Sequence, residues 1–249
     1  MAKMTPDFLT DEIKKICGGN LCSVVLYGSS VAGDNVKTSD YNVLVVMNRI
    51  ETEDLLALTG ICSRWGRDGN HAPLMFAKEN LMRSADVFPV EFSDIIQTHR
   101  MLYGPDPFTG MEIDPALLRL ELEHELKSKL ILLRENFLVT KGSQKEVNKL
   151  MVSSISAFLT LFKAALRLYG ETPPAKKLEV LPILSRHIKF DEEVFAIVWG
   201  LKEGGKRSDI TSLQIFSRYL PALQSVTDAV DLCLQSAAVK TIRNLRREQ

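Results

Sequence analysis

One stretch near the amino terminus, residues 23–47, restricts the fold of this 249-residue chain more than any other. It begins with an apolar run, Ser23–Tyr27, that is rich in Val and Leu and has the length of a buried strand. A tight turn follows at Gly28, since glycine adopts backbone angles that other residues resist. After a short helix and a polar loop, a second apolar run, Asn42–Met47, begins just after Asp40. The pattern predicts two strands joined by a turn, a short helix and a loop.

Small and polar side chains surround the turn and the beginning of the second strand. Because side chains alternate between the two faces of a strand, Asp40 and Asn42 are expected on the same side of the sheet. A backbone turn able to hold phosphate therefore lies beside a strand end that carries one carboxylate and one amide. The residues predicted to hold phosphate are Gly28, Ser29, Ser30 and Ser39.

The spacing of these residues resembles the signature of the polymerase-beta-type nucleotidyltransferases. Gly28-Ser29 is followed, after ten residues, by Asp40-Tyr41-Asn42. The family motif is Gly-Ser or Gly-Gly, roughly ten residues, and then Asp-x-Asp or Asp-x-Glu. In that family the two motif acids and a third acid on a neighbouring strand hold two magnesium ions, and the Gly-Ser turn holds the triphosphate. The resemblance implies the same roles here, except that Asn42 replaces the second acid.

A third acid is expected on a fourth strand, predicted over Val87–Asp94 and placed near a sheet edge by its proline. Alternation would bury two Phe and one Val of this strand and direct Glu91 toward the side of Asp40. The phrase Phe-Pro-Val-Glu-Phe also resembles the third-acid strand of bacterial nucleotidyltransferases of the kanamycin and streptomycin group. The resemblance therefore implies Asp40 and Glu91 as catalytic residues, and Asp40, Asn42 and Glu91 as metal ligands. Asp94 is the alternative third acid, and a solvated Glu91 without a role is the alternative interpretation.

The rest of residues 1–108 alternates helices with strands and predicts a sheet domain of the α/β (α+β) class. One helix is expected after a cap at Thr5, and another after a cap at Thr52. A third strand is predicted over Leu74–Ala77, followed by a short helix. The phrase within His99–Pro107 resembles the exit from the catalytic sheet in related proteins.

Residues 109–249 show only helical periodicity and predict an all-α bundle domain. Apolar residues recur every three or four positions in long segments, and Glu–Lys pairs four residues apart lie on the exposed side. Shorter helices follow, with a break or kink expected near Pro221. The short connections indicate antiparallel helices in a bundle. An all-helical domain after the catalytic sheet also resembles the aminoglycoside nucleotidyltransferases.

The charge balance and the cysteines exclude some classes of function. Lys plus Arg and Asp plus Glu number 31 each, which argues against a broad nucleic-acid-binding surface. The pair Cys17-x4-Cys22 has no second close pair, which disfavours a structural zinc site. Because no signal segment is seen and no apolar run approaches 18 residues, we expect a soluble, cytoplasmic protein that does not span a membrane.

Two functions stay open. The first is Mg²⁺-dependent transfer of a nucleoside monophosphate from a nucleoside triphosphate (NTP) to a hydroxyl of a small molecule, RNA or protein. The second is a catalytically impaired module that binds a nucleotide or a partner. Asn42 favours the second, because its amide oxygen is a neutral and weaker ligand than a carboxylate. Since about 1.4 kcal/mol corresponds to a tenfold change in rate, this one replacement is large enough to remove most activity.

One further alternative and two further resemblances remain. A turn of this kind also occurs by chance in unrelated α/β domains, so a fold without nucleotide chemistry is a third alternative. The helical part also resembles the HEPN-type bundles that accompany small nucleotidyltransferases, but Arg186-His187 does not fit their ribonuclease motif. Some relatives share a cleft between two chains, and a homodimer is therefore a further expectation.

Overall fold

The computed structural model describes residues 3–32, 40–205 and 210–245. The chain divides into two compact units, Met1–Ile113 and Asp114–Gln249. The first unit contains a small mixed four-stranded sheet with helices, and the second is helical. The predicted fold class, a sheet domain followed by an all-helical region, is confirmed.

The elements of the first unit follow one another with short connections. The helices are α1 (Pro6–Cys17), α2 (Ser29–Ala32), α3 (Thr52–Arg67), α4 (Lys78–Arg83) and α5 (Pro89–Gln97). Two 3₁₀ turns cover Gly18–Asn20 and Ser84–Asp86. The strands are β1 (Leu21–Tyr27), β2 (Asn42–Met47), β3 (Leu74–Ala77) and β4 (His99–Tyr103).

The sheet has the strand order β3-β2-β1-β4 and combines antiparallel with parallel pairing. β1 is antiparallel to both β2 and β4, whereas β2 and β3 are parallel. Tyr27, the last residue of β1, therefore lies between Asn42 at the beginning of β2 and His99 at the beginning of β4. The last residues of β1 and the first residues of β2, β3 and β4 therefore lie at the same end of the sheet.

Each face of the sheet packs against its own hydrophobic cluster, because successive strand side chains point to opposite faces. One cluster joins the sheet to α1 and α3 and includes the fully buried Trp65. The other joins the sheet to α4 and α5 through Leu81 and Phe92. Phe108 and Met111 belong to this second cluster, so the chain after β4 still packs with the first unit.

The predicted fourth strand is wrong, because Val87–Asp94 is not a strand and most of it lies in α5. Pro89 occupies the beginning of the helix, where its missing N–H costs no hydrogen bond. Phe92 and Ile95 are both buried and lie three positions apart, as expected for one face of a helix. The fourth strand is instead β4, which begins at His99.

Two of the predicted helix beginnings can be compared with the observed caps. Thr5 caps α1 as predicted, and its Oγ1 accepts a hydrogen bond from the Phe8 N–H at 3.2 Å. The cap of α3 is Glu51 rather than Thr52, in a reciprocal arrangement with Asp54. The Glu51 N–H donates to Oδ2 of Asp54 at 2.9 Å, which satisfies a backbone group that the helix leaves unpaired.

The second unit is built from two long helices, a pair of short ones and a final long one. These are α6 (Pro115–Val139), α7 (Gln144–Leu168), α8 (Val180–Leu184), α9 (Glu193–Lys202) and α10 (Ser212–Leu245). Of the break or kink expected near Pro221, the break is not present, because α10 continues through this residue. The rings of Phe137 on α6 and Phe216 on α10 stack with centroids 4.2 Å apart.

In the described ranges, α7 alone is long and apolar enough to cross a membrane by length and composition. Its most apolar window is 56% buried inside the protein. Phe158, Leu159 and Phe162 are almost completely buried, so α7 has the character of the core helix of its unit.

Candidate functional site

The turn after β1 is formed by Gly28 and leads directly into α2. Gly28 has a φ of +79°, in the left-handed region that favours glycine. Its carbonyl accepts a hydrogen bond from the Val31 N–H at 3.0 Å. The hydroxyl of Ser30 donates to the Tyr27 carbonyl at 3.4 Å, so this side chain is engaged within its own turn. Ser29 is the first residue of α2.

Asn42 lies beside the Gly28 turn at the beginning of β2. A Cβ atom added to Gly28 would be only 3.0 Å from Nδ2 of Asn42. The amide thus occupies the position that the family resemblance assigns to a carboxylate, and it packs against the turn. Ser39, the remaining residue predicted to bind a nucleotide, lies outside the described residues.

Asp40 comes before β2 and is paired with a histidine that the sequence analysis did not single out. Nε2 of His71 lies 3.2 Å from Oδ2 of Asp40. The Asp40 side chain is 33% exposed and that of His71 is 84% exposed, so the pair faces solvent. His71 belongs to the connection between α3 and β3 and lies 31 residues after Asp40 in the chain. Sequence spacing alone gives no signal for this contact.

Glu91 lies in the first turn of α5 and is exposed, so the strand alternation expected to orient it does not apply. Its charge nevertheless affects the same residue as that of Asp40, namely Tyr27 at the end of β1. Burial, and after it the negative charges of Asp40 and Glu91, together raise the pKa of the Tyr27 phenol to about 12. A carboxylate disfavours a nearby phenolate, so both acids lie within electrostatic range of one hydroxyl.

Tyr27 is therefore the residue that relates the two predicted acids to each other. It is half-buried, follows the apolar run of β1 and directly precedes Gly28. Its side chain packs against the cluster that also contains Phe92 of α5. The signal in the sequence was its place at the end of the strand, immediately before the turn.

The chemistry of these side chains can be compared with the needs of a magnesium ion. Asp40, Asn42 and Glu91 offer two carboxylates and one amide oxygen, all hard oxygen ligands of the kind that Mg²⁺ prefers. They do not supply the three carboxylates that hold two ions in the family motif. Among the described residues, no group of three or more His, Cys, Asp or Glu side chains is arranged for a metal. By the chemistry of its donors, this set would suit a single ion that completes its coordination with water and phosphate oxygens.

Comparison with solved structures identifies a protein of similar fold. The spectinomycin adenyltransferase AAD(9) from Enterococcus faecialis, solved with ATP and spectinomycin, aligns with a TM-score of 0.53 and 10% sequence identity. The alignment covers 90% of this chain and 98% of that chain. At this identity the similarity establishes the fold alone, and the predicted resemblance to a nucleotidyltransferase is confirmed at the level of the fold. No family model matches the chain, and no curated protein matches it.

Proposed function

We propose that this chain binds an NTP at the Gly28 turn and transfers its nucleoside monophosphate, with Mg²⁺, to a hydroxyl of a small-molecule acceptor. The observation that carries the proposal is the arrangement at the end of β1, where Asn42 lies against the Gly28 turn and the charges of Asp40 and Glu91 both act on Tyr27. The similar fold of an adenyltransferase solved with ATP and spectinomycin supports both the triphosphate and the acceptor class. The protein acts in the cytoplasm, as a monomer or as a homodimer.

Each side chain has a role that follows from its chemistry. Asp40 and Glu91 hold the cation through their carboxylates, and Asn42 adds a neutral oxygen. Bound Mg²⁺ would neutralise charge on the triphosphate and orient it. Gly28 leaves room for phosphate oxygens to approach the backbone. Since the pKa of Tyr27 is about 12, its phenol stays protonated at neutral pH and is available as a hydrogen-bond donor.

Asn42 reduces this activity without removing the binding site. An amide carries no charge, so the site holds its cation with two negative charges instead of three. Loss of one carboxylate ligand weakens the electrostatic stabilisation of the transferring phosphoryl group, and each 1.4 kcal/mol lost lowers the rate about tenfold. We therefore propose a slow enzyme with the substrates of its fold.

A second candidate function is a nucleotide-binding module without catalysis. Two observations favour it. Asn42 replaces an acid, and Asp40 is engaged with His71 at 3.2 Å. In such a protein the triphosphate would bind and remain intact, and the bound state would act on a partner.

The two candidates are separated by Mg²⁺-dependent release of pyrophosphate from each NTP, with spectinomycin or water as acceptor. Native protein is compared with Asn42→Asp, with Asp40→Asn and with the exposed control Asn80→Ala. We expect slow release from the native chain, at least tenfold faster release from Asn42→Asp, and none from Asp40→Asn. Release by Asn42→Asp alone would leave only the binding module. If no variant binds or cleaves any NTP, both candidates are wrong.

A further inference from the structure

Asp40 and Tyr41, the two residues before β2, are held by a side chain rather than by the sheet. β2 begins at Asn42, where its pairing with β1 ends opposite Tyr27. The backbone N–H of Tyr41 instead donates a hydrogen bond to Oδ1 of Asn70, with N and O 3.0 Å apart. Asn70 lies in the connection between α3 and β3.

Asn70 is itself fixed to the end of α3. Its Nδ2 donates to the Trp65 carbonyl at 3.3 Å, so the amide acts as donor and acceptor at once. Nε1 of the fully buried Trp65 donates to the His71 carbonyl at 2.9 Å, which fixes the next residue of the loop. The Trp65 ring also stacks on that of Tyr41, with centroids 6.0 Å apart. Trp65 therefore contacts both this loop and the segment before β2.

The same loop makes two further contacts, one with the amino-terminal segment and one with the Asp40 carboxylate. Oδ2 of Asp68 accepts a hydrogen bond from the Met4 N–H at 2.7 Å. The ring of His71 lies 3.2 Å from the Asp40 carboxylate. Asn70 thus belongs to a loop in which the nearby residues Asp68 and His71 also make contacts outside the loop. Its hydrogen bond to the Tyr41 N–H holds the backbone next to Asp40 in place relative to this loop.

We propose that Asn70 is a positioning residue for Asp40, and that it sets the affinity of the site for a divalent cation. This inference rests on the proposed function, because it concerns the carboxylate that would hold the cation. Without Oδ1 of Asn70, the Tyr41 N–H loses its acceptor, and the backbone before β2 loses the hydrogen bond that holds it to the loop. Asp40 then samples more positions, and its cation affinity falls. Removing a residue that hydrogen-bonds a metal ligand typically costs about 10- to 100-fold in affinity, and Asn70, which bonds the adjacent backbone, is expected at the lower end of that range.

The test measures the dissociation constant of Mn²⁺, used as a spectroscopic probe of the magnesium site, on the full chain without nucleotide. Native protein is compared with Asn70→Ala, Asp40→Asn and the exposed control Asn80→Ala. We expect Asn70→Ala to weaken Mn²⁺ binding about tenfold while its circular dichroism spectrum stays native. Asp40→Asn should abolish binding at this site, and Asn80→Ala should bind like the native chain.

The outcomes separate a failure of this inference from a failure of the proposed function. If the native chain shows no binding of Mn²⁺ that depends on Asp40, the proposed magnesium site is wrong. If such binding exists and folded Asn70→Ala keeps the native affinity, the positioning role of Asn70 is overturned.

Amide hydrogen exchange in the native chain decides the case in which Asn70→Ala does not fold. The hydrogen bond to Asn70 predicts slow exchange of the Tyr41 N–H, although this residue lies outside the sheet pairing. Exchange as fast as that of an unprotected loop amide would overturn the proposal.

Discussion

Asn42 lies directly against Gly28, so that a Cβ at Gly28 would be 3.0 Å from Nδ2 of the asparagine. Gly28 also has a φ of +79°, which side chains other than glycine adopt only with strain. The turn after β1 therefore excludes a side chain for two independent reasons. A methyl group would strain the backbone and would also displace the amide at the candidate site.

Replacing Gly28 by Ala should destabilise the protein and weaken triphosphate binding. We expect a loss of about 1–2 kcal/mol in the free energy of unfolding from the left-handed backbone, measured by urea denaturation. The control is Gly60→Ala within α3, where a methyl group meets nothing within 4 Å. That change should stabilise by about 0.5–1 kcal/mol, because alanine is the better helix former. Equal effects of the two substitutions would contradict the assigned backbone conformation.

The ionisation of Tyr27 tests whether the two acids share its surroundings. Because burial and the charges of Asp40 and Glu91 raise its pKa to about 12, Tyr27 should remain protonated at pH 11. Asp40→Asn and Glu91→Gln should each lower this pKa, since each removes a negative charge that disfavours the phenolate. The measurement is the phenolate absorbance, with Tyr27→Phe identifying the signal. An unchanged pKa in either acid variant would remove that acid from the site.

Gly104, just after β4, should tolerate alanine far less well than other glycines with similar backbone angles. A Cβ at Gly104 would be 2.0 Å from the carbonyl oxygen of Cys22, a backbone atom that cannot move without disturbing β1. Gly110 has a φ of +79°, close to the +73° of Gly104, but a Cβ there meets nothing within 4 Å. We expect Gly104→Ala to cost about 3 kcal/mol or more, and Gly110→Ala about 1 kcal/mol. Similar losses in urea denaturation would show that strain alone is responsible.

The ion pair between Asp191 and Arg218 should stabilise the helical unit at neutral pH and should lose this effect in acid. Nε and Nη2 of Arg218 donate to the two carboxylate oxygens of Asp191 at 2.7 and 3.0 Å. These hydrogen bonds hold the pKa of Asp191 below its ordinary value of 3.8. The contribution is therefore fully present above about pH 4, and it is lost as the pH falls through the lowered pKa.

Asp191→Asn provides the measurement for this pair. The stability difference between native protein and Asp191→Asn should be constant from about pH 5 to 8 and should shrink below about pH 4. The exposed Asp86→Asn serves as the control. A difference that stays constant down to pH 2 would show that the ion pair does not carry the effect.

The elements nearest the candidate site were predictable because their signals are local. β2 and β3 have the predicted bounds, since short apolar runs between polar segments favour strands, whether buried as in β2 or partly exposed at the sheet edge as in β3. The Gly28 turn was predictable from a local signal as well, because glycine is the residue that most readily adopts the positive φ of such a turn. The similarity of fold to AAD(9) extends this local agreement over most of the chain.

The segment that carries Glu91 was not predictable from its own pattern. Apolar residues at 88, 90 and 92 suggest the period of a strand, whereas those at 92, 95 and 96 suggest the period of a helix. Over so few residues the two periods cannot be separated. Pro89 lies at the first helical position, where proline is favoured, which agrees with the helix. β4 was missed because His99-Arg100 is polar, and its pairing partner β1 lies more than 70 residues earlier in the chain.

The contacts around Asp40 were hidden for a different reason. His71 and Asn70 reach residues 40 and 41 only after α3 has folded back along the sheet. Sequence separations of 29 to 31 residues carry no periodic signal, so these partners emerge only from the tertiary structure.

The buried position of α7 has a consequence for biosynthesis of the chain. Part of its apolar surface packs against α10, the last described helix, and this part stays unshielded until α10 has emerged from the ribosome. A nascent or truncated polypeptide that stops before Ser212 would present this surface to chaperones, to other chains or to lipid. Soluble expression should therefore require the carboxyl-terminal helix even though the candidate site lies wholly in the first unit.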